Sequence, residues 1–447
     1  MTSIIGTMVA FIIVFGILVF VHEFGHFFMA KLVGIKVEVF SFGYGKRLFG
    51  FRRRGTDYRV SMIPMGGYVR FAGEEAALEG LKSGKEVKSG DYLAAKRWQR
   101  FLVIFFGPFM NLVLAIFLVA VINMVGVDVA EYLDKAPVIG WIESDSPAVK
   151  AGLQEDDEIL SINGQQTPTW SDVDLAVGTR PDKTIQVEVR REGKIFTVDL
   201  QTESVTRFQM GYAGFYGKIQ VQVNMVMANS PAEKAGLKAG DVITAIDGEP
   251  VYVYQFIEIL ESNPDKELEF LVEREGQPIR LTVVPRREGN VGKIGIYHTA
   301  RSREKKYAFF AAFGQSFREN RRLLFAVVDF IKNLIRGEAS TRQLGGPIEI
   351  ANFSYAAFRM GFIAMLNWIA FISLQLGIIN LFPVPVFDGG QILVLSLEGA
   401  ARKDFPAKAK QIIMQIGFAI FIFLVVFIIL NDVVKRLPNG WGSILPF

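Results

Sequence analysis

Two histidines and a glutamate, His22, Glu23 and His26 in "VHEFGH", close an uncharged run that begins "MTSIIGTMVAFIIVFGILVFV". Imidazole and carboxylate groups are costly in hydrocarbon, and inside a membrane segment they usually mark function. On a helix, side chains at i and i+4 stand one above the other, so His22 and His26 can both present ring nitrogens to one ion. Glu23 lies about 60° round from His26 on the same side. Two imidazoles beside a carboxylate form the first half of a zinc hydrolase site, with the carboxylate as general base for water activated by the metal. The bare pentapeptide also occurs by chance on soluble helices, where its histidines are surface polar groups; the apolar run argues against that reading here.

The elements that must carry such a site follow from composition. Hydrophobic residues make up 51% of the 447, with 39 Phe, more than a soluble domain of this length carries, so the chain reads as a multi-span membrane protein. A net charge of +4 without a basic stripe gives no footprint for nucleic acid and bears on topology instead. The absence of cysteine rules out disulfides and thiolate ligands and leaves the redox compartment open. Four stretches are free of charge for about the 20 residues that cross a bilayer: Met1 to Val21, Phe101 to Val127, Met360 to Phe387 and Gln411 to Asn431. A cleaved signal peptide is the rival reading of the first, but no basic n-region precedes it and the apolar character resumes after the histidines in "FFMA". Residues 31–100 hold 15 Lys and Arg against 7 Asp and Glu, and the loop before the last stretch carries Arg402, Lys403, Lys408 and Lys410. Both are expected in the cytoplasm. The N-terminus, the segment from about 128 to 359 and the C-terminus then fall on the opposite side, the periplasm of a Gram-negative cell.

A zinc site of this kind needs a third protein ligand and keeps its fourth position for water or substrate. The only other histidine, His298, falls in the outer segment and reads as an ordinary polar residue of a strand or loop. The remaining possibility is an acidic residue at membrane depth on the same half as His22. Asp388 meets both conditions: it closes the third uncharged run in "NLFPVPVFDGGQ", and that run, going inward, ends on the cytoplasmic side. The loop charges that set this topology owe nothing to the histidine motif. At 1.5 Å per residue, Ile4 to His22 rises about 27 Å, which puts the centre inside a core of roughly 30 Å but toward its cytoplasmic face. Water must reach it there, so a cavity is expected, and Pro383, Pro385, Gly389 and Gly390 supply the broken helix that such a cavity tolerates.

The outer segment contains a repeat. "SPAVKAGLQEDDEILSINGQ" from Ser146 matches "SPAEKAGLKAGDVITAIDGE" from Ser230 at an offset of 84 residues, and "VRREG" from Val189 matches "VEREG" from Val272. Within each copy a short capped helix is expected at S-P-A, followed by an alternating strand into a turn. The units resemble PDZ domains. They serve either as spacers or for peptide binding and gating; the usual carboxylate-binding G-L-G-F loop is not recognisable.

Taken together, "VHEFGHFFMAKLVGIKVEVFSFGYGKRL", "IPMGGYVRF", "GPFMNLVLA", the tandem repeats, "LGGPIEIA" and "NLFPVPVFDGG" resemble the site-2 intramembrane zinc metalloproteases over nearly the whole chain. The resemblance implies His22, His26 and Asp388 as zinc ligands, Glu23 as general base, and Asn380 and Pro385 as substrate-binding positions. It also implies that residues 43–71, which alternate like a hairpin around glycines and arginines, form a re-entrant β-loop whose edge pairs with an unwound substrate strand, with Gly66, Gly67 and Tyr68 as edge positions. The bland alternative is a cytoplasmic hairpin on the membrane surface. Arg303 to Gly337 repeats phenylalanines and aliphatics at helical spacing among basic residues, and is expected either to pack on the repeats or to lie in the outer interface.

The expected fold is an α-helical polytopic membrane protein of four transmembrane helices and a re-entrant β-loop, with two tandem PDZ-like α/β domains. The divisions are a span with the zinc motif over 1–33, a cytoplasmic and re-entrant β region over 34–97, a span over 98–127, PDZ-like domains over 128–205 and 206–300, an amphipathic membrane-associated region over 301–358, a span with the third ligand over 359–388 and a last span over 411–431. The implied function is zinc-dependent hydrolysis within the bilayer of single-pass proteins of the inner membrane, such as an anti-sigma factor already trimmed by an upstream site-1 protease, or remnant signal peptides, in an envelope stress response. The rival from another class is a non-catalytic PDZ scaffold, in which the histidine pair is a relic or a transport site. A transporter fits less well, because the four spans show no inverted repeat.

Overall fold

The computed structural model describes residues 2–73, 88–206 and 208–436. Residues 74–87 of the expected cytoplasmic region lie outside them. The chain forms two compact units, one of Met1–Val125, Lys306–Ile331 and Leu344–Phe447, the other of Gly126–Lys305 and Lys332–Gln343.

In the first unit, helix α1 (Thr2–Leu32) is followed by strands β1 (Val37–Arg53) and β2 (Thr56–Phe71) and by helix α2 (Arg97–Val125). After the second unit come α3 (Phe309–Ile335), α4 (Pro347–Met360), α5 (Phe362–Asn380), α6 (Asp388–Ala400) and α7 (Ala407–Val434). Among the described residues four helices are long and apolar enough to cross a membrane: Ile4–Leu32, Arg97–Val125, Phe362–Asn380 and Lys408–Val434. With 31 residues α1 rises about 46 Å, more than the roughly 30 Å of hydrocarbon.

The uncharged run from Met360 to Phe387 does not form one long span. Gly361, at φ +108°, takes a conformation that a Cβ would oppose and separates α4 from α5. Pro383 and Pro385, which lack N–H groups, fall in the irregular stretch between α5 and α6. The result is a 19-residue helix followed by a loop that delivers Asp388 as the first residue of α6.

Side chains fix how these helices meet. Val14 and Leu18 of α1 are buried with Ala357 of α4 and Met365, Ile369 and Ile372 of α5. Met29 and Ala30 pack with Ile35, Val37 and Val103 at the other end of α1. The amphipathic pattern from Arg303 onward begins as a strand, Ser302–Lys305, and turns helical only at Phe309. The buried face of α3 lies on α2 and α5: Ser316 Oγ donates to the Ile116 carbonyl at 2.6 Å, and Leu324 and Val327 pack against Ala115, Leu374 and Ile378. Periodicity identified which face of this helix is apolar, but not its partners. At the far end of α7, the buried carboxylate of Asp432 accepts from the N–H groups of Gly346, Ile348 and Glu349 at 3.0, 3.1 and 3.2 Å, capping α4.

Strands β1 and β2 are long and irregular, and make more than the single hairpin expected over 43–71. Residues Val39–Phe42 pair on one side with Gly67–Arg70 and on the other with Asp57–Val60, while Arg47–Arg53 pair with Thr56–Ser61. The product is a four-segment sheet in which Val39–Phe42 runs parallel to Asp57–Val60, the other neighbours are antiparallel, and Gly67–Phe71 is an edge. Phe40 seats this sheet on α1 against Phe20 and Phe27, with ring centroids 5.6 and 4.8 Å away.

The second unit contains two β-rich domains that repeat one plan. The first has a sheet ordered Gln165–Gln166, Glu158–Ile162, Thr184–Arg191, Lys194–Gln201; the second is ordered Gln277–Val283, Leu268–Arg274, Val242–Ile246, Val221–Val226, Ile296–Ala300. The S-P-A motifs cap one-turn helices as expected: Ser146 Oγ accepts from the Val149 N–H and Ser230 Oγ from the Glu233 N–H. The expected boundary at 205/206 falls too early. Phe215–Gly217 pairs with Ile139–Ile142 and so completes the first domain. His298 lies in the strand Ile296–Ala300 with its ring edge-on to Phe256, and burial lowers its pKa.

The matched stretches also share a guanidinium fork, whose arginines stand in "VRREG" and "VEREG". Arg191 Nε and a terminal nitrogen bind both oxygens of the fully buried Asp157 at 2.6 and 2.7 Å and reach the Gly152 carbonyl; Arg274 does the same to Asp241 at 2.7 and 2.8 Å and to the Gly236 carbonyl. Removing one partner leaves a buried charge alone. Arg191→Leu is expected to destabilise the first domain by about 3 kcal/mol, read as a lowered urea midpoint of the full-length protein by tryptophan fluorescence. An unchanged midpoint would show the fork to be dispensable. The chain first enters and first leaves this unit on neighbouring strands, Val127–Ala130 and Ser302–Lys305, with Val127 opposite Lys305, and returns to it over Lys332–Gln343.

Candidate metal centre

Two elements carry the sequence-derived ligands, and a third holds the imidazoles. On α1, His22 and His26 stack at i and i+4 with Nε2 atoms 3.2 Å apart. From the start of α6, Asp388 places Oδ2 3.0 Å from His22 Nε2 and 3.6 Å from His26 Nε2. Among the described residues these three form a group whose ligand atoms all lie within 4.8 Å of one another. Donors arranged tetrahedrally around zinc at about 2.0–2.1 Å stand about 3.3 Å apart, so the observed spacing fits that ion and leaves its fourth position to water or substrate.

Both imidazoles are held from α2. His26 Nδ1 lies 2.8 Å from the carbonyl of Val103, which can only accept, so Nδ1 carries the proton and Nε2 keeps its lone pair for a metal. Pro108 lacks the N–H that would bond the Ile104 carbonyl, which loosens α2 beside this contact. His22 Nδ1 lies 3.4 Å from the side-chain amide of Asn111. Gly107 lets α2 approach this closely, because a Cβ there would run into the His26 ring and stand 3.0 Å from His22 Cε1. Close approach also explains the glycines after Asp388: a Cβ on Gly389 or Gly390 would meet the carbonyls of Leu381 and Val384, which the α5–α6 loop folds against them.

The other expected site residues are distributed around this group. Glu23 Oε2 accepts from the N–H of Val69 at 3.0 Å, and a Cβ on Gly67 would stand 3.6 Å from Glu23 Cγ, so the edge of the sheet lies directly against the carboxylate. Gly66 adjoins Val19, and Tyr68 stacks on Tyr44 with centroids 5.8 Å apart and under the Arg59 guanidinium. Asn380 ends α5, eight residues before Asp388. Pro385 packs on Gly417 of α7, and Phe387 meets Phe421 edge to face at 5.9 Å.

Sequence reasoning overlooked four contributors: Val69, Val103, Gly107 and Asn111. Two of them act through backbone atoms, which have no residue signature. The other two carried a signal that went unused, since Gly107 and Asn111 share a helix face at i, i+4 and Asn111 is a polar residue within an uncharged span.

Comparison with known proteins agrees with this geometry. The sequence profile described as peptidase family M50 matches residues 10–424, a range that includes every residue of the centre. The chain is 34% identical over 458 residues to a Vibrio cholerae protein named as a zinc metalloprotease, with 97% of this chain and 99% of that one covered. It is 32% identical over 461 residues to the regulator of sigma E protease of Salmonella typhi and 31% over 459 residues to the regulator of sigma-E protease RseP of Escherichia coli strain K12, with the same coverage. With four membrane-length helices, an HExxH pair on the first of them and a family match running through all of its parts, this chain belongs to peptidase family M50 and is an intramembrane zinc metalloprotease.

Proposed function

We propose that the chain cleaves transmembrane segments of single-pass proteins in the bacterial inner membrane, with His22, His26 and Asp388 holding the zinc ion and Glu23 acting as general base. The observation that carries this reading is the 3.0 Å hydrogen bond from the Val69 N–H to Glu23: the free edge of a β-sheet runs beside the carboxylate. A transmembrane helix satisfies its amides internally, so a scissile bond must first be unwound. Gly66, Gly67 and Tyr68 on that edge offer the unwound strand a new backbone partner and lay its amide next to Glu23. Bound zinc supplies Lewis-acid activation of water and of the scissile carbonyl. Glu23 takes the proton of the attacking water and returns it to the departing amide nitrogen. Asn380, at the end of α5, and Pro385, within the loop that presents Asp388, contact the substrate chain beyond the scissile bond.

In this reading the termini and the two β-rich domains lie in the periplasm and the centre lies toward the cytoplasm, in keeping with the 15 basic against 7 acidic residues of 31–100. The repeats are PDZ domains that filter substrates by the size of their outer part. The substrate is an anti-sigma factor shortened by an upstream site-1 protease, with remnant signal peptides as a second class, in an envelope stress response. Deleting both repeats should allow cleavage of a substrate with its outer domain intact, at a rate within about threefold of the trimmed one. Product analysis by mass spectrometry checks both the rate and the position of the cut. Retained discrimination after deletion would remove the filter from the mechanism, and a cut outside the transmembrane segment would remove the strand-addition reading.

A further inference from the structure

We propose that Asn111 is a positioning residue of the metal centre: its side-chain carbonyl accepts a hydrogen bond from Nδ1–H of His22 and so holds the tautomer in which Nε2 faces Asp388 and His26. The proposal rests on His22 being a zinc ligand. Asn111 is fully buried in the middle of α2, and its backbone carbonyl is anchored by Ser373 Oγ of α5 at 2.8 Å. Its Nδ2 lies 3.4 Å from His22 Nδ1, while its Oδ1 is buried without a hydrogen-bond partner among the described residues.

Those two facts conflict with a ligating His22. A ring that gives its Nε2 lone pair to a metal carries its proton on Nδ1, so an amide N–H opposite would set donor against donor while an acceptor lies idle one bond away. The amide's two ends are nearly isosteric, and turning the group over removes both faults at once, pairing Nδ1–H with Oδ1. His26 shows the same logic already satisfied, its Nδ1–H being received by the Val103 carbonyl. Both ligating rings are thus oriented by one helix, one through a backbone oxygen and one through a side chain. Partners of this kind fix ring orientation and raise ligand basicity, and their loss typically costs about 10–100-fold in metal affinity.

The test measures the zinc dissociation constant of the purified full-length protein by chelator competition, alongside the melting temperature of the metal-free form. It compares wild type with Asn111→Leu, which is similar in size but cannot accept, and Asn111→Asp, which can. Asn111→Leu should bind zinc about 10–100-fold more weakly, with a metal-free melting temperature no lower than wild type because a buried polar group has been removed. Asn111→Asp should bind at least as tightly as wild type. Wild-type affinity in the leucine variant overturns the proposal, as does equal weakening in both variants, which would mean that the shape or N–H of the amide matters rather than its oxygen. If the leucine variant does not fold, the aspartate variant alone decides, weakened zinc binding counting against the proposal. A wild-type protein that binds no zinc would overturn the reading of His22 itself, a result distinguishable from failure at Asn111 alone.

Discussion

Glu23→Gln should leave a protein that folds, retains zinc and engages substrate, yet cleaves it about 10²–10⁴-fold more slowly in single-turnover assays. The magnitude follows from what the substitution removes and what it spares. Glutamine is the same size, and its amide oxygen can still accept from the N–H of Val69, so the edge of the sheet keeps its seat beside α1. The capacity to take a proton from water and return it to the amide nitrogen is lost. Because His22 and His26 are untouched, zinc content per protein should equal wild type. Equal cleavage rates would rule out the assigned base. A fall in zinc content of the same size as the fall in rate would instead make Glu23 part of the metal-holding group.

Asp388→Ala should act one step earlier. Two imidazoles remain, 3.2 Å apart at Nε2, without the anionic donor that approaches both of them within 3.6 Å. Zinc affinity should fall by more than the 10–100-fold typical of losing an outer partner, and activity should become undetectable at ambient metal. The backbone of α6 gives little reason for collapse, since Gly389 and Gly390 and the loop they pack on are unchanged. Circular dichroism of the variant should therefore match wild type while metal analysis does not. Stoichiometric zinc in Asp388→Ala would exclude this residue as the third ligand and redirect attention to Glu23.

The contrast between these residues and their neighbours shows what a sequence can disclose. His22, His26 and Asp388 are legible because ionisable groups stand out in runs of more than twenty uncharged residues, and the loop charges predict one depth for both parts of the chain. The four membrane-length helices were legible for the same reason, as length and apolarity are local properties. The part played by Val103 was not, because a backbone carbonyl has no residue signature and matters only once another helix arrives. The α3 helix repeats the lesson at larger scale: its periodic face says what is buried and leaves open against what. The strand Phe215–Gly217 is only three residues long and finds its partner more than seventy residues earlier, so no local pattern could assign it to the first domain.

The side-by-side strands at Val127–Ala130 and Ser302–Lys305 make the intervening part of the chain a cassette. Their ends are about 5 Å apart, the spacing of neighbouring strands. An insertion whose ends already meet imposes no stretching on α2 or α3, whatever its length. The twofold repeat within the cassette is a duplication accommodated between such ends, and the chain returns to the same unit over Lys332–Gln343, where Gln343 donates to the carbonyls of Gly178 and Gln209.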